Sequence, residues 1–523
     1  MNSRLASLAL RPLQDGPRIA LVSLYDVENN AVRLLAALLR RAGYHAVEIY
    51  FKDWISNHMA PPSPDELRSL VRVLRRERVQ LVAMSVRASP YFNIARTLTE
   101  RVWSDLGLPV IWGGNHPTLV PEDCIEFADL LLRGEGEEAL VELAQALRSG
   151  QPLSGIQNLW IRDDGGEHVR NDLRPLLCDL DQLPFRDYHS HDQKYAVMGR
   201  SYTQGDPMHG DPVFQMMASR GCIYKCSYCY NSTYKKEIYS GQKWYRHRSV
   251  DSALAEIKAA REHWDFKRVR FDDEVFIFRK AWFQEFCERW PVEVGLPFEI
   301  FMEPKLVNEE RIAALAAAGL TGVYMGVQAS ARVNADLYDR FADDDNIVEK
   351  ARIFERHGVY PHYQLIFDDP ESTEHDFRAM FDMVAAFPHP FDLYLFSITY
   401  FPGHEISKKL LADGRITPYE VEGPHNARTF YQHRVNLEYP RPVEETFWIS
   451  LIQLLSKSFV PPAAVKALTR SRFLARHPWP LIQLAHGANY VKLGSTAVGM
   501  AARGEMTSTL LRRWLNFNRV ITS

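Results

Sequence analysis

Cysteine is scarce, with six in 523 residues, far below the density of a disulfide-stapled scaffold. Long apolar runs are absent as well. Met1 to Pro17 lacks the apolar core of a secretory signal and reads as a short tail. Stretches such as Ala313–Gln328 and Phe391–Pro402 are broken by Gly or polar residues and fall short of the ~20 residues that a bilayer span needs. Neither charge dominates: 62 Lys and Arg face 65 Asp and Glu, a formal −3. That balance gives no general attraction to nucleic acid or an anionic membrane, although it leaves room for a local basic patch. With 46% hydrophobic residues the chain is not disordered. What remains is a cytoplasmic protein of about three domains with no membrane span and no nucleic-acid partner. In a reducing compartment its cysteines are metal ligands or buried small hydrophobes.

From Arg18 to Leu147 short β-branched runs alternate with helical patterns. Candidate strands are Arg18–Leu24, His45–Phe51, Val79–Ser85, Pro109–Trp112 and Leu130–Leu132. Leu34, Leu35, Leu38 and Leu39 recur at helical spacing, with Gly43 placed to end that helix. Ser63, Pro64 and Glu66 spell a capped helix start. The alternation predicts a parallel sheet covered on both faces, with ligands beyond the C-terminal strand ends. Residues 151–200, with Asp163-Asp164-Gly165-Gly166, Pro175 and Pro184, read as a hairpin and a crossing linker. A second series follows: strands Val213–Met217, Arg268–Asp272, Phe298–Met302, Gly322–Val327, Tyr360–Ile366 and Asp392–Ile398, with helices between them. Six repeats are too many for a small Rossmann half and too few for a closed eight-fold barrel, so a six-stranded partial barrel fits. Beyond Pro402-Gly403 the pattern predicts helices, including Thr446–Phe459 and Thr507–Trp514.

Three of the six cysteines, Cys222, Cys226 and Cys229, lie within eight residues in the loop after a predicted strand. Zinc sites usually take two separated ligand pairs, and no second pair stands nearby. Short-interval thiolates suit an iron–sulfur cluster, and three of them leave one iron of a four-iron cluster open for a chelating ligand. Cys124, Cys178 and Cys287 have no partners at metal spacing and read as inert.

The loop Ser219-Arg220-Gly221-Cys222-Ile223-Tyr224-Lys225-Cys226-Ser227-Tyr228-Cys229, a C-x-x-x-C-x-x-C pattern with an aromatic residue before its last cysteine, resembles the signature of radical S-adenosylmethionine (SAM) enzymes. The resemblance implies a 4Fe-4S cluster on the three cysteines, with SAM chelated at the fourth iron and cleaved reductively to a 5′-deoxyadenosyl radical. Phe271-Asp272-Asp273-Glu274 looks like the family's acidic loop for the SAM amine. Gly326-Val327-Gln328-Ala329-Ser330 resembles its G-V-E-S-G segment, with Gln328 in place of Glu, and the stretch from Gln364 to Glu371 resembles its G-x-P-G-E segment, with Asp368 and Asp369 in place of small residues. Tyr228, Asp272, Asp273, Glu274, Gln328 and Gln364 are the SAM-site candidates that follow.

In the first domain, Trp112 to Glu122 and Leu132-Arg133-Gly134-Glu135-Gly136-Glu137 resemble segments of cobalamin-binding domains fused to radical SAM cores, and Cys178 to Phe185 resembles their connector. Asp26-Val27-Glu28-Asn29-Asn30-Ala31 is the nearest counterpart of the D-x-H-x-x-G loop but has no histidine, so no residue there would ligate cobalt. Asp26, Glu28, Ser85, Gly113, Gly114 and Asn115 are the candidate cobalamin contacts; without side chains, Gly113-Gly114 lets backbone approach a bulky ligand. His116 reads as a hydrogen-bonding loop residue.

The resulting expectation is a tail (residues 1–17), a Rossmann-like cobalamin-binding domain (18–150), a linker with a hairpin (151–200), a radical SAM partial barrel (201–405) and a helical region capping the substrate (406–523). Tyr431, His433, Arg434, Trp448 and Trp479 are its candidate pocket residues, with core packing or a solvated surface as the alternative. The chemistry implied by the resemblance is cobalamin-dependent methylation of an unactivated carbon in a small molecule or natural-product intermediate, with electrons from a flavodoxin or ferredoxin. Radical cyclisation, rearrangement or oxidation on the same architecture, and a non-catalytic iron–sulfur sensor, are the alternatives.

Overall fold

The computed structural model describes residues 3–9, 15–52, 61–276, 278–340, 344–422, 441–502, 504 and 506. Tyr431, His433, Arg434 and the expected helix at 507–514 lie outside these residues. None of the described helices is long and apolar enough to cross a membrane.

The first sheet is built from β1 (Ile19–Leu24), β2 (Ala46–Phe51), β3 (Leu81–Ser85), β4 (Val110–Gly113), β5 (Leu130–Leu132), β6 (Leu159–Ile161), β7 (Val169–Arg170), β8 (Lys194–Met198) and β9 (Ser201–Gln204). Its order is β7-β6-β5-β4-β3-β1-β2-β8-β9. The first five strands pair in parallel and are buried on both faces: along β1, Ala20, Val22 and Leu24 enter one core while Ile19 and Leu21 enter the other. The capping box at Ser63 and Glu66 forms as the sequence spells it, with Pro64 at the first position.

The segments read from sequence as a tail and a linker are built into this body. The tail contains a helix, Ser3–Ala9, whose Leu5 and Leu8 sit one turn apart in the core, while Arg4 pairs with Asp129 at 2.9 Å. The 151–200 segment supplies the expected hairpin as β6 and β7, but its far end pairs in parallel with β2 as β8, so the sheet runs to Gln204. Lys194 anchors that edge. Its fully buried ammonium reaches Asp206 at 3.1 Å, and Arg33 binds the same carboxylate at 2.6 Å.

The second sheet holds β10 (Val213–Met216), β13 (Arg268–Phe271), β14 (Phe298–Met302), β15 (Leu320–Gln328), β16 (Tyr360–Phe367) and β17 (Asp392–Ser397), all parallel and in sequential order. A two-stranded ribbon of β11 (Ser219–Arg220) and β12 (Arg246–His247) follows the first of these strands. This is the six-stranded partial barrel. Alternation is clear on β16, where Tyr363, Leu365 and Phe367 are buried against the outer helices and His362, Gln364 and Ile366 are half-buried on the other face. The helix Val443–Leu455 joins the same outer core, with Trp448 2% exposed and 5.6 Å from Phe381. Trp448 is thus a core residue, and Trp479 is 68% exposed.

Candidate active site between two parallel sheets

The cysteine loop starts with a tight turn. Gly221 has φ +77°, and a Cβ there would lie 2.5 Å from the Trp244 carbonyl oxygen, so only glycine fits. Hydrogen bonds fix the loop from outside: the Ser227 amide donates to Tyr338 O (3.0 Å), its hydroxyl to Leu337 O (2.6 Å), Lys235 Nζ to Ile223 O (2.7 Å), and the Ile406 amide to Ser227 O (2.9 Å). His404, whose burial pushes its pKa down to about 4, holds the Tyr228 carbonyl at 3.1 Å. The helix Glu405–Ala412 thus packs beneath the cysteines, and Glu405 takes hydrogen bonds from Ser232 and Lys236.

Cys222, Cys226 and Cys229 are free, half-buried thiols. Burial pushes the Cys222 thiol up to about 11 and raises Cys229 as well. Two donors point at sulfur: Asn231 Nδ2 lies 3.5 Å from Cys229 Sγ and Arg340 Nη1 3.9 Å from Cys226 Sγ. Among the described residues no three His, Cys, Asp or Glu groups are placed to hold a single metal ion. The donor set fits a cluster, each corner of which takes one thiolate, with N–H groups and a buried guanidinium to offset the negative charge.

The acidic loop divides by role. Asp272 is tied to Arg270 at 2.6 Å, and its amide donates to Met216 O at 2.7 Å. Asp273 is buried, accepting from the Ser219 hydroxyl and the Ala218 amide; burial still pushes its carboxyl up to about 7. Glu274 alone opens onto a cavity, where it accepts from the Tyr230 hydroxyl, and the protein mass around that cavity raises its pKa. A second group gathers around Gly326: Gln364 is its cross-strand partner, and a Cβ on Gly326 would meet Gln328 Nε2 at 2.4 Å. Arg340 donates to Gly326 O and, at 3.3 Å, to the Tyr228 hydroxyl. Tyr228, Gln328 and Gln364 therefore converge near Cys226, whereas Asp272 and Asp273 are spent on the scaffold.

The cavity has a volume of about 350 Å³ and lies between the two sheets. On one side stand Ser85, Gly113, Gly114 and Asn115, at the C-terminal ends of β3 and β4; on the other stand Met216, Ser219, Tyr230, Trp244 and Glu274. Gly114 adopts φ +106°, and a Cβ would sit 3.0 Å from Val86 O. An apolar arm runs back along the first sheet between Leu21, Leu35, Ala83, Ile111 and Leu140. Close-packed cores leave few such slots. An apolar slot opening into a chamber that Ser85, Asn115, Ser219, Tyr230 and Glu274 also line has the character to take a corrinoid. Asp26 and Glu28 are not among the walls. Asp26 is buried and pairs with Arg87 at 2.9 Å, and Glu28 lies 3.5 Å from Arg270 on the barrel.

Sequence reading missed the clamp that joins the halves. Glu135 binds Arg220 at 3.0 Å and Arg246 at 2.7 Å, while Glu137 takes the other arm of Arg220 at 2.6 Å. Burial would raise the Glu135 carboxyl, but the two guanidiniums outweigh it and hold the pKa below the usual range. Arg220 stands two residues before Cys222, and that adjacency was the available signal. Arg340 also escaped notice, since nothing marks an arginine 114 residues after Cys226 until the fold brings them together.

Comparison with known proteins agrees with this layout. Residues 18–144 match the B12 binding domain and residues 216–384 the Radical SAM superfamily. The chain thus carries a B12-binding domain followed by a radical SAM domain. It is 24% identical to an uncharacterized methyltransferase of Pyrococcus horikoshii over 59% of this chain and 65% of that one. It is also 24% identical to the anaerobic magnesium-protoporphyrin IX monomethyl ester cyclase of Cereibacter sphaeroides, over 67% of this chain and 56% of that one. The chain thus spans less than two thirds of the length of either relative. Its fold resembles that of the cobalamin-dependent SAM radical enzyme OxsB solved with aqua-cobalamin and SAM, with TM-score 0.62 and 14% identity, covering 97% of this chain and 84% of that one.

Proposed function

We propose that this protein methylates an unactivated carbon of a small molecule by cobalamin-dependent radical SAM chemistry. The observation that carries the proposal is the single cavity bounded by Gly113-Gly114 on one sheet and Glu274 beside the cysteine loop on the other. When bound, the cluster supplies the electron that cleaves SAM to a 5′-deoxyadenosyl radical, and the corrinoid supplies a methyl group.

The chain's own residues position and shield. Cys222, Cys226 and Cys229 would hold the cluster. Glu274, oriented by Tyr230, offers an acceptor for an ammonium group, and Arg340, with Gln328 and Gln364 beside it, offers a cation and amides for a carboxylate and hydroxyls. Ser85, Gly113, Gly114 and Asn115 would hold the corrinoid. The Glu135–Arg220–Arg246 clamp fixes the distance between the two cofactor sites, the geometric requirement of a group transfer. The substrate is a small-molecule or natural-product intermediate, the electron donor a flavodoxin or ferredoxin, and the setting cytoplasmic.

Radical cyclisation is the second reading, supported by the Cereibacter cyclase likeness. Anaerobic incubation of the reconstituted protein with SAM and reductant should yield 5′-deoxyadenosine. Absence of cleavage from a protein that carries its full iron would overturn both readings, and a methylated product separates the first from the second.

A further inference from the structure

After Glu445 the character of the chain changes. Residues 446–523 contain ten Lys and Arg and a single acidic residue, a formal +9 in a chain of formal −3. The described part, through Ala502, has no acidic residue at all. Lys466, Arg470, Arg472 and Arg476 are all exposed, and none has an ion-pair partner among the described residues. Uncompensated positive charge at this density is unlike the rest of the surface, where most cations meet a carboxylate. The same region exposes large apolar side chains: Phe459 (51%), Phe473 (64%), Trp479 (68%), Leu484 (52%), Val491 (59%) and Val498 (71%).

The helix Trp479–Ala502 shows how these features combine. Leu481, Ala485 and Ala488 face the core, while Leu484, Val491 and Val498 recur every seven residues on the solvent side. Its one Lys, Lys492, is engaged with Asp392, so the outer face carries no charge of its own. A second copy meeting this region about a two-fold axis is a poor occupant, because it would bring the same positive charge against itself. Nucleic acid would meet the cations but leave the aliphatic stripe unused. A surface with acyl chains beneath anionic headgroups satisfies both.

We infer that the C-terminal helical region is a docking surface for an anionic lipid bilayer, on which Phe473, Trp479, Leu484, Val491 and Val498 enter the headgroup–acyl boundary and Lys466, Arg470, Arg472 and Arg476 meet lipid phosphates. The protein lies on the membrane and does not span it, in keeping with the absence of a spanning helix among the described residues. A methylating enzyme docked this way draws on substrates that partition into lipid, although the docking itself does not depend on the proposed chemistry.

The test is flotation of the full chain with vesicles of phosphatidylcholine alone or mixed with phosphatidylglycerol, across a salt series. The protein should float with the anionic vesicles, and binding should fall as salt rises. Each Lys or Arg at such a surface is worth about fivefold in binding. The combined variant Lys466→Gln, Arg470→Gln, Arg472→Gln and Arg476→Gln should therefore lose about two to three orders of magnitude. Trp479→Ser with Phe473→Ser should weaken binding at every salt concentration. All these side chains are exposed, so circular dichroism should match the wild type. The inference is overturned by equal binding to neutral vesicles, by no binding to either kind, by tighter binding to a DNA duplex than to vesicles, or by a concentration-dependent dimer that Val491→Asp abolishes.

Discussion

The two parallel sheets meet one cavity with opposite devices. The first presents missing side chains: Gly113 and Gly114 clear a wall, and Ala83 and Ser85 keep the slot behind it narrow but open. The barrel presents filled positions: Tyr230 and Glu274 line the cavity, whereas the three thiols and the Arg340 guanidinium lie outside its walls, joined to it through Gly221 of the cysteine loop. A site made of absences binds by shape, and one made of donors binds by bonds. The two should therefore fail independently.

The largest separation comes from Cys226→Ala. It should remove iron and all SAM cleavage while leaving corrinoid uptake within about twofold of wild type, read by iron analysis and the visible spectrum of the bound corrinoid. The converse variant, Gly114→Val, puts a branched side chain at φ +106° and 3.0 Å from Val86 O. Corrinoid affinity should drop by at least about tenfold, with iron content and uncoupled deoxyadenosine formation retained. If Gly114→Val also abolished SAM cleavage, the sites would not be separable.

Breaking the clamp should affect both together. Glu135→Gln leaves Arg220 and Arg246 short of a partner in a largely desolvated setting, costing about 3 kcal/mol by chemical denaturation. A smaller effect concerns pH. Asp273 carries a pKa raised from 3.8 to about 7, so it favours the folded state when protonated. That contribution is fully present below about pH 4 and is lost as pH rises through about 7. Asp273→Asn should flatten the stability profile across that window, as measured by denaturant midpoints; an unchanged profile would mean that the carboxylate is well solvated.

Much of this was legible in the sequence, for identifiable reasons. Every strand of the two parallel series fell within two residues of its expected start, because β-branched runs between capped helices leave little choice of register. The cysteine loop declared itself through residue type and spacing. Asp272 and Asp273 did not declare their scaffold roles, since a carboxylate reads the same whether it faces a ligand or the Arg270 and Ser219 groups behind it. Asp26 and Glu28 illustrate a related limit: loop position pointed to the cavity, and pairing with Arg87 and Arg270, distant in sequence, was not legible. The tail and the linker were underestimated because two leucines at helical spacing, or one five-residue strand, give weak periodic signals until a core or a sheet edge accepts them.

If the cavity joins a corrinoid to a SAM site, the methyl group of SAM must reach the corrinoid. Anaerobically reconstituted protein, given reductant and SAM with a deuterated methyl group and then unfolded for mass spectrometry of its corrinoid, should release corrinoid bearing the intact labelled methyl. Bound corrinoid that stays unlabelled while deoxyadenosine accumulates would contradict a methyl transfer across this cavity.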